Sequence, residues 1–341
     1  MSDRVAICGM GLLGGFGAGR NAACRALGTG GGPNGAVDLG NMEGAASLPA
    51  YIADTTLLEQ YLNKRLLRRV NRYSKMALLG ACLALEDAGC GIPVASDRVG
   101  VIIASGYGAL STTFEFLDSM INDGDALASP LLFSNSVHSS AASHLSILLQ
   151  ISGPCLTISQ FELSGVAALM TAYDWLADGA ADAVLVGAVE EVNSVMSYCY
   201  DRFGESTATG TMGEGACFLL LRRETDAVNA QACLERVACP EGSQLKREPG
   251  ATLVVGDDGQ PCCADYYRSL DPGISFASRY GSLPSGQIFD VAFSVLAQQM
   301  GIISGRVQSI KADKEGKWGE ILIAPRTAPA RETQFMDESH V

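Results

Sequence analysis

A chain of 341 residues can bury a large core, and 48% hydrophobic with 18% charged residues is the composition of a globular protein. The net charge of −13 argues against nucleic acid or an anionic membrane as partner, and no apolar run reaches the roughly 18 residues that a membrane span needs. The opening MSDRVAICGMG starts directly on a strand and is too short in apolar residues for a signal peptide, so a cytoplasmic protein is expected. Eleven cysteines are scattered, several in apolar segments (Cys8, Cys82, Cys217), and the one close pair, Cys262 and Cys263, lacks CxxC metal spacing. Reduced, buried thiols with no metal and no cofactor are the expectation.

In chain order, Val5 to Met10 is a buried strand running into Gly9, Gly11, Gly14, Gly15 and Gly17. A glycine-rich turn after a first strand is one mark of a dinucleotide site. Here the spacing is not GxGxxG, and no acidic residue ends a second strand about 20 residues on. The Gly- and Pro-rich stretch 28–62 reads as a surface excursion. From Arg65 the pattern predicts a long amphipathic helix, RLLRRVNRYSKMALLGACLALEDAG, stopped by Gly89. Its first half carries Arg65, Arg68, Arg69, Arg72 and Lys75. These form either a solvated face laced with ion pairs or a docking patch for an acidic partner. Arg98 to Ser105 (RVGVIIAS) is a continuous apolar strand, as expected inside a sheet covered on both faces. A helix to about Asn122 follows. The segment 130–154 then holds His138 and His144, for which a buried ring bonded to backbone is the ordinary reading.

Gly153 to Leu169, GPCLTISQFELSGVAAL, reads as a short strand (Cys155 to Ser159), a tight turn and a helix running to about Leu176. Glu162 sits in the turn among apolar and small residues. A strand that turns sharply into a helix lifts a side chain clear of the sheet and toward the positive helix end, where many α/β enzymes hold a nucleophile. The plainer alternative is a first-turn glutamate favoured by the helix dipole. Ala183 to Val192 (AVLVGAVEEV) is another buried strand, ending at Glu190 and Glu191, and Gly213 to Arg223 (GEGACFLLLRR) is a glycine turn entering a further strand. Beyond it come a strand in 250–256, a short helix from Asp265 to Leu270, and a helix entry in SFASRYGSLPSGQIFDVAFSVLAQQMG. Val307 to Ile323 supplies closing strands with Lys311, Lys314 and Lys317 between them. A polar tail from Pro325, containing His340, is expected to be disordered.

The stretch 153–169 resembles the nucleophile elbow of the β-ketoacyl synthases, GPSLTVDTACSSSLVAL. Gly153, Pro154, Leu156 and Thr157 match in front, and Ser164, Ala168 and Leu169 match behind without a gap. The family's cysteine then falls on Glu162. Residues 65–89 resemble RRMDRFSQLALAAAREALEDAG, 183–192 resemble DVALAGGVE, and 213–223 resemble GEGAGVLVLER. FSNSVHSSAAS is similar to the FxxSVHNxxAG form found in synthase-like proteins of aryl polyene clusters. Against KxxxGHxxGAAGxxE, Gly286 takes the last glycine, Tyr280 a histidine position and Ser275 or a neighbour the lysine, and HGTGT does not occur. The resemblance implies an α/β, thiolase-like layered αβαβα fold. Its N-terminal half, 1–224, is complete; its C-terminal half, 225–325, is shortened; the tail spans 326–341.

Condensation in that family needs a thiolate to carry the acyl chain and imidazoles to support the developing charge. A carboxylate at position 162 forms at best a hydrolysable mixed anhydride. The resemblance therefore implies no catalytic residue. It points to a chain-length-factor-like subunit that pairs with a catalytic ketosynthase paralogue through the strand before the elbow, in type II polyketide, aryl polyene or fatty-acid-type biosynthesis. Phe133, Phe161, Glu162 and Leu163 would then wall the shared acyl pocket, and acyl carrier protein or the sister subunit would meet Arg65, Arg68, Arg69, Arg72 and Lys75. The alternative is a malonyl-acyl carrier protein decarboxylase, which an ionised Glu162 disfavours by repelling the malonyl carboxylate.

Overall fold

The computed structural model describes residues 4–40, 47–202, 210–240, 246–257, 263, 266–267, 270 and 273–326. The first strand, β1 (Val5–Gly14), is ten residues long and buried throughout. Gly9, Gly11 and Gly14 lie inside it, and only Gly15 stands in a turn, ahead of Gly17 in the next strand. Gly9 and Gly11 let helix α2 (Arg72–Asp87) press directly on the strand. A Cβ at Gly11 would stand 2.0 Å from the Gly80 carbonyl oxygen, and one at Gly9 would stand 2.3 Å from that of Ala84. The chain then turns through β2 (Gly17–Ala18) into α1 (Gly19–Thr29). The stretch expected to be a surface excursion forms its own hairpin of β3 (Gly35–Asp38) and β4 (Ser47–Ala50), but its later part is core, with Ala53, Leu58 and Leu62 buried in the cluster that holds α2.

The basic segment is not one helix from Arg65. Leu66–Arg69 is a 3-10 turn, Val70 is extended, and α2 starts only after Asn71, whose side chain accepts the Ser74 N–H as an N-cap. The helix ends as expected, with Gly89 at a φ of 71° and its N–H on the Glu86 carbonyl.

The remaining elements are β5 (Val99–Ala104), α3 (Leu110–Asp123), α4 (Pro130–Ser136), α5 (Ser140–Leu149), β6 (Cys155–Ile158), α6 (Ser164–Ala177), β7 (Ala183–Glu190), α7 (Ser194–Arg202), β8 (Gly215–Arg223), β9 (Ala232–Ala238), β10 (Thr252–Val255), the single turn α8 (Ala277–Tyr280), α9 (Gln287–Gln299), β11 (Val307–Ala312) and β12 (Trp318–Pro325). Ten strands form one sheet among the described residues: nine follow the hydrogen-bonded order β10-β11-β12-β9-β1-β8-β7-β5-β6, and β2 lies alongside β1. β5, β6 and β7 are parallel to one another, whereas β8 is antiparallel to both β7 and β1. β1 joins β9 over only three residues, Val5 to Ile7. There the sheet folds back.

The two sections of sheet enclose α6 and α9. Val166, Leu169, Phe289, Phe293 and Leu296 of these helices share one core with Ile102, Val184 and Leu219 on one side and Leu234, Val307 and Ile321 on the other. α2 and α5 cover the outer face of the first section. Over the second section, Cys263, Tyr267 and Trp318 mark the outermost layer. Half of the sequence's predicted helix 265–270 falls outside the described residues, as do Cys262 and the tail beyond Arg326 with His340. Lys311, expected between strands, lies within β11 and is buried.

Candidate functional site

β6 ends at Ile158, a 3-10 turn spans Phe161–Leu163, and α6 begins at Ser164, so the strand–turn–helix elbow is present with Glu162 in it. The turn lies past the carboxyl ends of parallel β5, β6 and β7, the side on which open α/β sheets hold ligands. Phe161 takes a left-handed φ of 47°, which costs a non-glycine residue about 1–3 kcal/mol unless its surroundings hold it. They do. The Gln160 N–H donates to Ser164 Oγ at 2.8 Å, Ser164 Oγ donates to the Ser105 carbonyl at 3.3 Å, and Ser159 Oγ donates to the Gly106 carbonyl at 3.2 Å. The Phe161 ring meets Tyr107 edge-on with centroids 5.7 Å apart, and the Tyr107 hydroxyl is 2.9 Å from that of Tyr200. Glu162 itself is half-buried.

Three buried carboxylates sit behind this turn. Glu190, at the end of β7, accepts from the Gly106 N–H at 2.6 Å, the Tyr107 N–H at 3.3 Å, Ser105 Oγ at 3.2 Å and Ser285 Oγ at 2.8 Å. The last of these comes from the loop before α9, so one carboxylate pins the elbow's neighbour to the second section of the fold. Burial pushes its pKa up, against the pull of these donors. Glu191 accepts the Ser111 N–H at 2.7 Å in the first turn of α3. Burial pushes it up to about 7, and the Glu214 charge adds to this. Glu214 holds the Ala53 N–H at 2.9 Å and is gripped by the Arg72 guanidinium, which also donates to the Ala53 carbonyl at 2.7 Å.

Arg72 is exposed along part of its side chain, 43%, yet its guanidinium fork is spent on an interior carboxylate and is not left to solvent. Arg65, Arg68 and Arg69 are exposed and Lys75 is half-buried. Their segment is anchored from behind. Asn135 donates to the Arg69 carbonyl at 3.0 Å, and Asn71 donates to the Asn135 carbonyl at 2.9 Å. His144 faces the same asparagine, with Nε2 3.0 Å from Oδ1, so its partner is a side chain rather than backbone, and burial lowers its pKa. His138 is exposed and lies over Gly108.

Leu163 faces inward with the core of α6 and α9, not a pocket, because the 3-10 turn rotates it away from Phe161. Phe161 and Phe133 are exposed, the latter against Phe116 with centroids 5.4 Å apart. Tyr280 is a core residue. Its ring lies against Phe289, with centroids 5.0 Å apart, and its hydroxyl donates to Asp290 Oδ1 at 2.7 Å. Ser275 Oγ donates to the Asp257 carbonyl at 2.8 Å. Sequence reasoning missed Lys311. It is buried on β11, the strand packed against the Phe161–Leu163 turn, and its Nζ donates to the Leu283 carbonyl at 3.3 Å. A lone lysine in an alternating VQSIKA run gives no hint of which way it points. Among the described residues no group of three His, Cys, Asp or Glu could hold a metal ion, and no helix is long and apolar enough to cross a membrane.

β6 ends the sheet. Only β5 pairs with it, so alternate backbone N–H and C=O groups along its outer side have no strand partner among the described residues. Beside it lies a groove of about 690 Å³ lined by His138, Ser143, Ile147, Cys155, Leu156 and Thr157. Two of its lining side chains are exposed and apolar, Ile147 at 70% and Leu156 at 40%. A patch of this kind is characteristic of a surface made to be covered.

A strand–turn–helix elbow on two facing layers of sheet around paired central helices is the plan of the thiolase-like condensing proteins, and comparison with known proteins agrees. Residues 2–227 match the family described as "Beta-ketoacyl synthase, N-terminal domain", and the chain belongs to the β-ketoacyl synthase family. It is 27% identical over 157 residues to 3-oxoacyl-[acyl-carrier-protein] synthase 2 of Vibrio cholerae serotype O1, covering 46% of this chain and 37% of that protein. The chain spans about half the length of the curated relatives it matches, from 37% to 57% in the first three. Its fold is similar to the ishigamide ketosynthase/chain length factor, with a TM-score of 0.77 at 18% identity over 95% of this chain and 100% of the other. It is also similar to a type II polyketide synthase acyl-carrier protein in complex with its ketosynthase, with a TM-score of 0.75 at 15% identity over 96% and 100%.

Proposed function

We propose that this chain is a non-condensing, chain-length-factor-like subunit that pairs with a cysteine-bearing β-ketoacyl synthase and helps to shape its acyl pocket. The observation that carries the reading is the elbow. Its strand, turn and helix are in place and braced by Ser159 and Ser164, yet the side chain it presents is the carboxylate of Glu162. A carboxylate cannot carry a stable acyl thioester, so an intact elbow without a thiol serves to hold a shape rather than to transfer a group. The open edge of β6 and the apolar groove beside it support pairing with a second subunit. The fold neighbours include a ketosynthase/chain length factor and an acyl-carrier protein in complex with its ketosynthase. Arg65, Arg68 and Arg69 supply exposed positive charge for an acidic carrier protein or for the sister subunit.

The test is co-expression with a cysteine-bearing ketosynthase from the same pathway. The expected result is a stable complex whose condensation survives Glu162→Ala, while Phe161→Ala or Phe161→Trp changes product length. Decarboxylation of malonyl-acyl carrier protein by the isolated chain, lost in Glu162→Ala, would replace this reading with the enzymatic one.

A further inference from the structure

Cys8 is the extra residue of a bulge in β1. Ile7 pairs with Leu221 and Gly9 with Leu220, which leaves Cys8 without a partner in the ladder. A bulge re-aims the side chain it carries. Here the neighbouring Gly9 lets the end of α2 come close: a Cβ built on Gly9 would stand 2.7 Å from that of Ala88. Two residues further on, Cys90 closes the helix with its N–H on the Leu85 carbonyl at 2.8 Å. Cys8 and Cys90 line one cleft of about 250 Å³, together with Arg222 and Asn229. Cys8, Ala88 and Asn229 also line a second, larger cleft of about 590 Å³. Burial raises the Cys8 thiol, the Arg222 guanidinium pulls it back down, and the charge of Cys90 is felt there too. The third thiol of this corner is Cys233, which donates to Glu224 at 3.4 Å and is pushed up to about 12, mainly by burial. That leaves it a poor nucleophile.

We propose that Cys8 and Cys90 form a reversible dithiol that a low-molecular-weight disulfide of the glutathione class oxidises to an intramolecular disulfide. Cys90 is the more exposed of the two and reacts first. Its thiolate attacks one sulfur of the reagent, the reagent's S–S bond breaks, and one thiol leaves with the proton Cys90 gave up. The Cys8 thiolate then attacks the Cys90 sulfur and expels the second thiol. Two protein thiols lose two protons and two electrons, and one reagent disulfide becomes two thiols. The new bond ties the first strand to the end of α2, a property that owes nothing to the role of Glu162.

The experiment treats the full chain with oxidised glutathione, alkylates the remaining thiols after unfolding, and maps peptides without reduction. A peptide pair joined through Cys8 and Cys90, released by dithiothreitol, is expected. Cys233→Ser should leave the linkage unchanged. Cys8→Ser should stop the reaction at glutathione carried on Cys90. The proposal is overturned if wild-type Cys8 is alkylated in full while Cys90 stays glutathionylated or untouched, or if Cys8 is joined to Cys233 instead. The wild-type map decides between these outcomes even if a variant fails to fold.

Discussion

Glu191 is the residue whose charge costs the fold most visibly. It feels the charge of Glu214 and of the Arg72 guanidinium, accepts a hydrogen bond from Ser111, and lies near Tyr73. Its folded pKa of about 7 lies above the ordinary 4.5, so the native state holds the proton more tightly than the unfolded chain does. The stability this gives is full below about 4.5, declines as pH rises towards 7, and is gone above it. Chemical denaturation at a series of pH values should therefore show stability falling across that window by up to ~3 kcal/mol from this group. Glu191→Gln should raise stability at pH 8 and flatten the slope. The flattening will be partial, because Glu190 is raised as well. Arg72 is the counterpart. Arg72→Met strips a buried carboxylate, Glu214, of its only ion pair among the described residues, at a cost of about 3–5 kcal/mol. Arg68→Ala, on the exposed turn, should change the melt by no more than about 0.5 kcal/mol. The sequence could not separate these two arginines. What distinguishes them is Glu214, more than 140 positions away, and only the fold brings it to Arg72.

At the scale of elements, the contact between β1 and α2 is backbone on backbone, and glycine is its condition. Gly11→Ala would drive a methyl group to 2.0 Å from the Gly80 carbonyl, and no side chain can swing aside to relieve it. A loss of at least ~1–3 kcal/mol is expected in urea denaturation, the range for overpacking a close-packed core. Gly28→Ala, with open space around it, should be nearly silent. The same contact explains where a sequence reading falls short. Apolar runs gave β5, β7, β8 and α6 close to their real limits, since each buries one continuous stretch. The glycines of β1 looked like a turn because periodicity records side chains, and these positions matter for having none. Similarly, Asn71 within the basic run is a helix start in plain view. The strong amphipathic pattern on either side of it concealed the break.

For the molecule as a whole, the outer edge of β6 and its apolar surroundings set how it associates. Ile147→Lys together with Leu156→Lys places charge on exposed positions of that face. This pair should abolish co-elution with a ketosynthase partner in size exclusion while leaving the thermal melt of the isolated chain within about 1 kcal/mol of its starting value. Much of the candidate site was legible, because the ungapped stretch around Glu162 fixed the elbow before any coordinates. The inward turn of Leu163, the closure of Tyr280 in the core and the burial of Lys311 were not legible. Each depends on how the second section of sheet wraps the first. That wrapping has a mechanical outcome. Val5 to Ile7 hold β8 on one side and β9 on the other, so there is no seam along which the chain can unzip. Scanning calorimetry should record one endotherm, with equal calorimetric and van't Hoff enthalpies. A fragment ending at residue 224, stripped of the strands that cover α6 and lacking α9 beside it, should come out of cells as insoluble protein.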